Sequence, residues 1–277
     1  MKFKILAATA GILLLCVLLA CWPGLPTLQP TLKPTADWMR PLGSTWVLQS
    51  PGKSYSIQTA SDLRQNGDDS LRFELRDGER WTDSTLMSTY RAEVATKEFP
   101  PEGSTRWYAF SVFFPTNFPI ENNRLVFAQW KEKEAFLGTG LIPSLAFRFV
   151  DGKFSVSLRH SAEKTIRDPD AVPSEDLFKK GHFHLGQWHA FVVQVKWSYK
   201  DDGLVNIWWN GKPIAGYHGP VGYDEELAPQ FKFGLYRDAT EKTYIAYFNH
   251  VQSGENPKAV GFDPTTATAL QTNNPVN

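Results

Sequence analysis

Between Trp46 and Phe262 the chain repeats one unit: a short run of alternating apolar and polar residues, closed by residues that turn the backbone. Successive side chains of a strand point to opposite faces, so such a run buries one face and solvates the other. Leu71, Phe73 and Leu75 alternate with Arg72, Glu74 and Arg76 before Asp77-Gly78. Ser144–Val150 and Lys153–His160 flank Asp151-Gly152, and Val205–Trp209 and Lys212–Gly216 flank Asn210-Gly211. Both dipeptides suit a two-residue hairpin turn. Further strands are predicted over Thr89–Thr96, Trp107–Phe114, Arg124–Lys131, His189–Trp197, Gln230–Arg237 and Tyr244–His250, with a short helix over Ser174–Lys180. About ten strands without alternating helices imply an all-β, antiparallel β-sandwich or barrel in a single domain. Two sheets would bury their apolar faces together, leaving an outer face available as a binding groove.

The only two cysteines, Cys16 and Cys21, precede this region. The folded part therefore has no disulfide, thiol nucleophile or thiolate metal site, and its stability must come from its core. The 10 Trp, 9 Tyr and 19 Phe offer ample material. Lys and Arg number 29, balanced by 29 Asp and Glu, which argues against nucleic acid as a partner.

Residues 1–21 read as an export signal. Lys2 and Lys4 form a basic start, and the apolar run Ile5–Ala20 of about 16 residues is short for a membrane span. The run ends in Leu18-Leu19-Ala20-Cys21, which resembles the bacterial lipobox and makes Cys21 the expected lipidation site. An ordinary cleaved signal or an uncleaved anchor is the alternative; each places the domain outside the cytoplasm, in the periplasm or at the cell surface. Residues 22–44, with Pro23, Pro26, Pro30 and Pro34, read as an extended tether to a membrane-held lipid anchor. The domain is expected over 45–262, followed by a loose tail over 263–277.

Three strands carry polar groups on one face. In 90–94, Tyr90, Ala92 and Val94 take one side, Arg91 and Glu93 the other. In 126–131, Val126, Ala128 and Trp130 are expected in the core and Gln129 and Lys131 away from it. In 231–236, Phe231, Phe233 and Leu235 face the core, and Lys232, Gly234 and Tyr236 line the other face. An amphipathic strand by itself has only a solvated side. Arg, Gln, Lys and Tyr from three strands with a single carboxylate are a less common set.

Arg91-Ala92-Glu93, Gln129-Trp130-Lys131 and Lys232-Phe233-Gly234-Leu235-Tyr236 resemble three motifs of jelly-roll polysaccharide lyases, the heparin lyase I and glucuronan lyase group, with alginate lyases further away. The order from Gly186-Gln187-Trp188-His189 through Trp208-Trp209-Asn210-Gly211-Lys212 to Tyr236 is also similar, and the likeness spans roughly Ser70 to Asn249. The resemblance implies a concanavalin A-like jelly roll with a concave substrate groove. It implies β-elimination on a uronic-acid-containing, anionic polysaccharide without a cofactor; a structural calcium ion is compatible with such folds, and no metal site is assigned. Tyr236 then matches the tyrosine that protonates the leaving oxygen, and in some members also takes the C5 proton. Gln129 matches the carboxylate-contacting glutamine; Arg91 is a further candidate to contact the substrate carboxylate, and Lys232 could hold that carboxylate or stabilise the phenolate. Glu93 would orient Arg91 or a lysine, and Arg148 and Arg159 are assigned to substrate binding. Many relatives carry histidine, the base, at the position of Lys131; a lysine there would serve as base only with a strongly lowered pKa, or would simply bind substrate charge. Either Tyr236 makes both transfers, or another histidine enters the cleft, or activity is lost. By parity His160 and His189 look like core-side or strand-end residues, and His182 and His184 cannot be placed.

A retaining glycoside hydrolase would need paired carboxylates, and Glu93 has no partner two or four residues away. No Gly-x-Ser-x-Gly elbow occurs, and His182 and His184 have no third metal ligand nearby. The rival is a non-catalytic carbohydrate-binding lipoprotein on the same scaffold, stacking sugars on Trp81, Trp107 or Trp209.

Overall fold

The computed structural model describes residues 46–84, 86–132 and 141–265. The expected signal, Cys21, the tether and most of the tail lie outside these residues. Sixteen strands follow in chain order. They are β1 (Trp46–Gln49), β2 (Ile57–Gln65), β3 (Asp68–Leu75), β4 (Trp81–Thr82), β5 (Ser88–Thr96) and β6 (Thr105–Phe113). Next come β7 (Leu125–Lys131), β8 (Leu145–Val150), β9 (Lys153–Ser161), β10 (Ser174–His182) and β11 (Trp188–Lys196). The chain ends in β12 (Leu204–Trp209), β13 (Lys212–His218), β14 (Gly222–Tyr223), β15 (Gln230–Arg237) and β16 (Tyr244–Gly254).

These form two sheets, the antiparallel sandwich expected from the alternation. One runs β1-β5-β15-β7-β8-β9-β10, with β4 beside β5 and β14 beside β9; the other runs β13-β12-β11-β6-β16-β3-β2. Large segments of chain separate neighbours such as β5 and β15, so the sheets close through long-range pairing. The hairpins sit where their dipeptides place them. Asp151 and Gly152 have φ of 51° and 73°, Asn210 and Gly211 of 49° and 76°, the left-handed pair that a twisted two-residue turn needs.

Inner faces of both sheets meet in one aromatic core. Phe147, Phe154, Phe191 and Phe231 are essentially inaccessible. Phe191 stacks on Phe110 at 5.3 Å, and Phe147 meets Phe191 edge to face at 5.4 Å. Each buried ring removes a large apolar surface from water and adds favourable ring contacts, which is how the domain manages without cross-links. A second cluster, Trp107, Trp208 and Phe262, lies on the outer face of the seven-stranded sheet. Phe262 covers Trp107 there, so Trp107 is no sugar platform. Trp209 packs against Phe154 and Phe183 and is equally committed to packing.

Two expectations need correction. Residues 174–182 form β10, not a helix: they pair with β9 through two register shifts, and those bulges scramble the alternation that would have marked a strand. In β7 a shift between Val126 and Ala128 moves Leu125 and Phe127 into the core. Val126 instead pairs with Tyr236 and Arg148 and shares their face. β2 escaped notice because this edge strand exposes Gln58, Thr59, Ser61, Asp62 and Arg64 and has little apolar content to alternate.

Gly234 lies in the middle of β15 with φ 133°, where a side chain is strained. A Cβ there would run into the Ala92 carbonyl oxygen and come within 2.9 Å of Glu93 Cα. Gly234→Ala is expected to destabilise the domain by about 2–4 kcal/mol in urea unfolding, because both the conformation and the strand spacing oppose it.

Candidate active site

The polar residues singled out from three strands do converge, on the outer face of the nine-stranded sheet. Register brings them side by side: Lys232 pairs with Ala95 and Gln129, Gly234 with Glu93, and Tyr236 with Arg91 and Val126. Although they point away from the apolar core, Glu93 is 0% exposed, Gln129 1% and Lys232 3%. Parity reveals which face a side chain takes, but not what covers it.

A carboxylate out of water must be compensated by charge and hydrogen bonds. Gln129 Nε2 donates to Glu93 Oε1 at 2.6 Å, and Arg91 Nε lies 3.2 Å from Glu93 Oε2. The other side of Arg91 donates through NH1 to Gln49 Oε1 at 2.9 Å, and Lys232 Nζ donates to the same oxygen at 3.2 Å. Glu93 thus orients Arg91, as expected, and also holds the carboxamide of Gln129. Gln49 was not foreseen. It comes from the four-residue edge strand β1, whose Trp-Val-Leu-Gln carries no chemical signature, and only pairing with β5 brings it to the cluster.

Tyr236 stands at the border of this buried set and is partly exposed. Two guanidiniums lie over its ring, that of Arg91 with Cζ 4.3 Å from the centroid and that of Arg124 at 4.7 Å. Arg124 is a second residue the sequence pattern did not single out; it precedes β7 and forms an ion pair with Asp238. Trp81, on β4, lies 5.4 Å from the Arg91 guanidinium, so of the three tryptophans considered it alone stands at the site.

Arg148 projects from β8 on the same face and hydrogen-bonds Ser157. Burial and the neighbouring charges of Arg124 and Arg159 push its pKa down to about 10, which still leaves it cationic at neutral pH. Arg159 is held by the Val172 carbonyl at 2.6 Å. The face therefore gathers Arg91, Arg124, Arg148, Arg159, Lys131 and Lys232 against few carboxylates. Such an imbalance favours an anion.

Lys131 is 8% exposed at the end of β7, where Gln230 is its partner across the ladder. The next residue, Glu132, is buried and hydrogen-bonded by the Ser144 hydroxyl. Burial pushes its carboxyl up to about 7, although the charge of Lys131 and the Ser144 bond pull the other way. His189 lies in the sandwich interior: Trp209 Nε1 donates to its Nδ1 at 3.0 Å and its Nε2 meets the His184 carbonyl at 2.8 Å. Burial lowers its pKa, and both ring nitrogens are engaged away from the cluster. His160 pairs with Gly222 at the end of β9. His182 and His184 contact each other ring to ring, 4.5 Å apart. Among the described residues no three His, Cys, Asp or Glu side chains are grouped as metal ligands.

Known proteins resemble this chain in sequence and in fold. A family model described as polysaccharide lyase matches residues 42–252. Heparin lyase I of Pedobacter heparinus is 31% identical to the chain, over a match that spans 32% of this chain and 31% of that enzyme's length. The endo-β-1,4-glucuronan lyase of the fungus Trichoderma reesei has the same fold, with a TM-score of 0.67 at 16% identity, covering 79% of this chain and 94% of that one. Alginate lyase A1-II′, of polysaccharide lyase family 7, gives a TM-score of 0.54 at 17% identity, covering 76% and 94%.

Glu132 has a measurable consequence. Between its ordinary value of 4.5 and about 7 the folded protein holds a proton that the unfolded chain has released. Stability must therefore fall as pH rises through that window. Glu132→Gln is expected to be more stable than the parent by about 3 kcal/mol near pH 8, with a much smaller difference near pH 5, in urea unfolding.

Proposed function

The chain belongs to the polysaccharide lyase family, and from that premise we propose that it cleaves a uronic-acid-containing polymer by β-elimination at Tyr236. The observation that carries the reading is a partly exposed phenol beneath two guanidiniums, beside a buried Lys, Arg and Gln cluster whose one carboxylate is already engaged. Lys232, Arg91 and Gln129 would neutralise the uronate carboxylate, without which the C5 proton is too weakly acidic to leave. They are held by protein partners before substrate arrives, so little reorganisation is needed as enolate-like charge grows.

Tyr236, as phenolate, takes the C5 proton. The electron pair left behind forms the C4–C5 double bond, the C4–O bond breaks, and the departing oxygen takes the proton back from Tyr236. One residue thus serves as base and acid, and no co-reactant is consumed. Lys131, where many relatives place histidine, would bind substrate charge. The positions of His160 and His189 support this reading, since neither joins the cluster.

A single phenol making both transfers implies a stereochemical limit. H5 and O4 lie on the same ring face in 4-linked β-D-glucuronate and β-D-mannuronate, but on opposite faces in their C5 epimers, L-iduronate and L-guluronate. The glucuronan lyase and alginate lyase named among the structural neighbours act on polymers of this general chemistry. Residues 1–21 would export the protein, and acylation of Cys21 would tether it to the membrane facing its substrate.

Incubation with a panel of uronate polymers is expected to produce the ultraviolet absorbance of an unsaturated uronate product. Glucuronate- or mannuronate-rich chains should react at least about tenfold faster than iduronate- or guluronate-rich ones. Tyr236→Phe should abolish the signal while leaving the fold intact. Flat traces on every polymer, with binding retained, would replace catalysis by carbohydrate binding. In cells, Cys21→Ser is expected to remove metabolic fatty-acid labelling and release the protein from the membrane fraction; unchanged labelling would refute acylation at Cys21.

A further inference from the structure

A phenol serving as base must spend part of its time as phenolate near neutral pH, which requires nearby positive charge. Among the described residues, charged groups approach Tyr236 from several elements. From β5 comes Arg91, already paired with Glu93; from β8, beyond Val126, comes Arg148; from β15 itself come Lys232 and, just past the strand, Asp238. Another is Arg124, in front of β7. Its Nε and NH2 reach Asp238 Oδ2 and Oδ1 at 3.3 and 2.5 Å, and its backbone carbonyl accepts from the Asp238 amide at 3.1 Å. This two-point hold fixes a planar guanidinium with its carbon 4.7 Å from the Tyr236 ring centroid.

We propose that Arg124 is a positioning residue of the lyase reaction, held by Asp238 so that its guanidinium stabilises the phenolate of Tyr236. The inference rests on the assignment of proton transfer to Tyr236. Arg91 cannot do this work alone, because its charge is also needed to compensate a carboxylate with no access to water. Asp238 is more than half exposed, so solvent screens its opposing charge, whereas Arg124 is mostly covered and lies over the ring. Burial lowers the pKa of Arg124, but the hydrogen bond to Asp238 and the charge of Tyr236 outweigh it and leave that pKa raised.

The test is a substrate-free pH titration of the full-length chain labelled with ¹³Cζ-tyrosine, followed by NMR. The Tyr236 resonance is identified by its loss in Tyr236→Phe. Arg124→Gln is expected to raise the titration midpoint of Tyr236 by about one pH unit. Arg124→Lys should lie closer to the parent than to Arg124→Gln, because it keeps the charge. Asp238→Asn loosens the hold but leaves the cation, and should raise the midpoint by less than Arg124→Gln does. The low-pH limb of the kcat/KM profile, which reports the free enzyme, should move upward with Arg124→Gln by the same amount. An unchanged midpoint in Arg124→Gln, or one raised as far by Arg124→Lys, would overturn the proposal. Because the titration needs no substrate, failure of this inference is distinguishable from failure to cleave any polymer.

Discussion

The outer face of the nine-stranded sheet is organised around the carboxylate of Glu93, which has no access to water. An ionised carboxylate survives burial only when charge and hydrogen bonds replace its hydration. Arg91 and Gln129 supply them from the same strand and from two strands away. Meeting that requirement sets the directions of both side chains, and through Arg91 it also places Gln49 and, through Gln49, the ammonium of Lys232. Preorganisation of the cationic cluster follows from the desolvation of one acidic group.

This polar layer stands on a rigid apolar one. Phe231, Phe233 and Leu235 of β15 enter the core between the sheets, alternating with Lys232, Gly234 and Tyr236 on the other face. Close-packed aromatic rings resist sliding, so the strand register that pairs Lys232 with Gln129 and Tyr236 with Arg91 is locked from below. Gly234 leaves the room between the two functional side chains. Core packing and site geometry are thus opposite faces of the same strands.

The electrostatics of the face have a common logic. Arg91, Arg124, Arg148, Arg159, Lys131 and Lys232 come from β5, β7, β8, β9, β15 and the approach to β7, while the chain as a whole carries no formal net charge. A neutral protein concentrating cations on one sheet stores like-charge repulsion there, which adds to burial in lowering the pKa of Arg148. An anionic polymer laid across the strands would relieve it. In the proposed reaction that relief would provide affinity along the polymer, and the chemistry would be confined to the place where the phenol meets two of the cations.

Much of this was legible without coordinates, because period-two alternation and the turn dipeptides at 151–152 and 210–211 are local rules of strand geometry. They determine an all-β domain, most of its strands, and the shared face of Arg91, Glu93, Lys232 and Tyr236. Bulges are not local in that sense: β10 lost its alternation to two of them, and the shift in β7 exchanged Val126 for Phe127 in the core. Gln49 and Arg124 belong to the site only because β1 pairs with β5 and the approach to β7 meets the end of β15, contacts 42 and 114 residues apart in sequence. Sequence alone thus determined which residues alternate and which chemistry they could supply. Tertiary structure decided which of them lose water and which cations meet the phenol, because desolvation and charge proximity depend on long-range strand pairing.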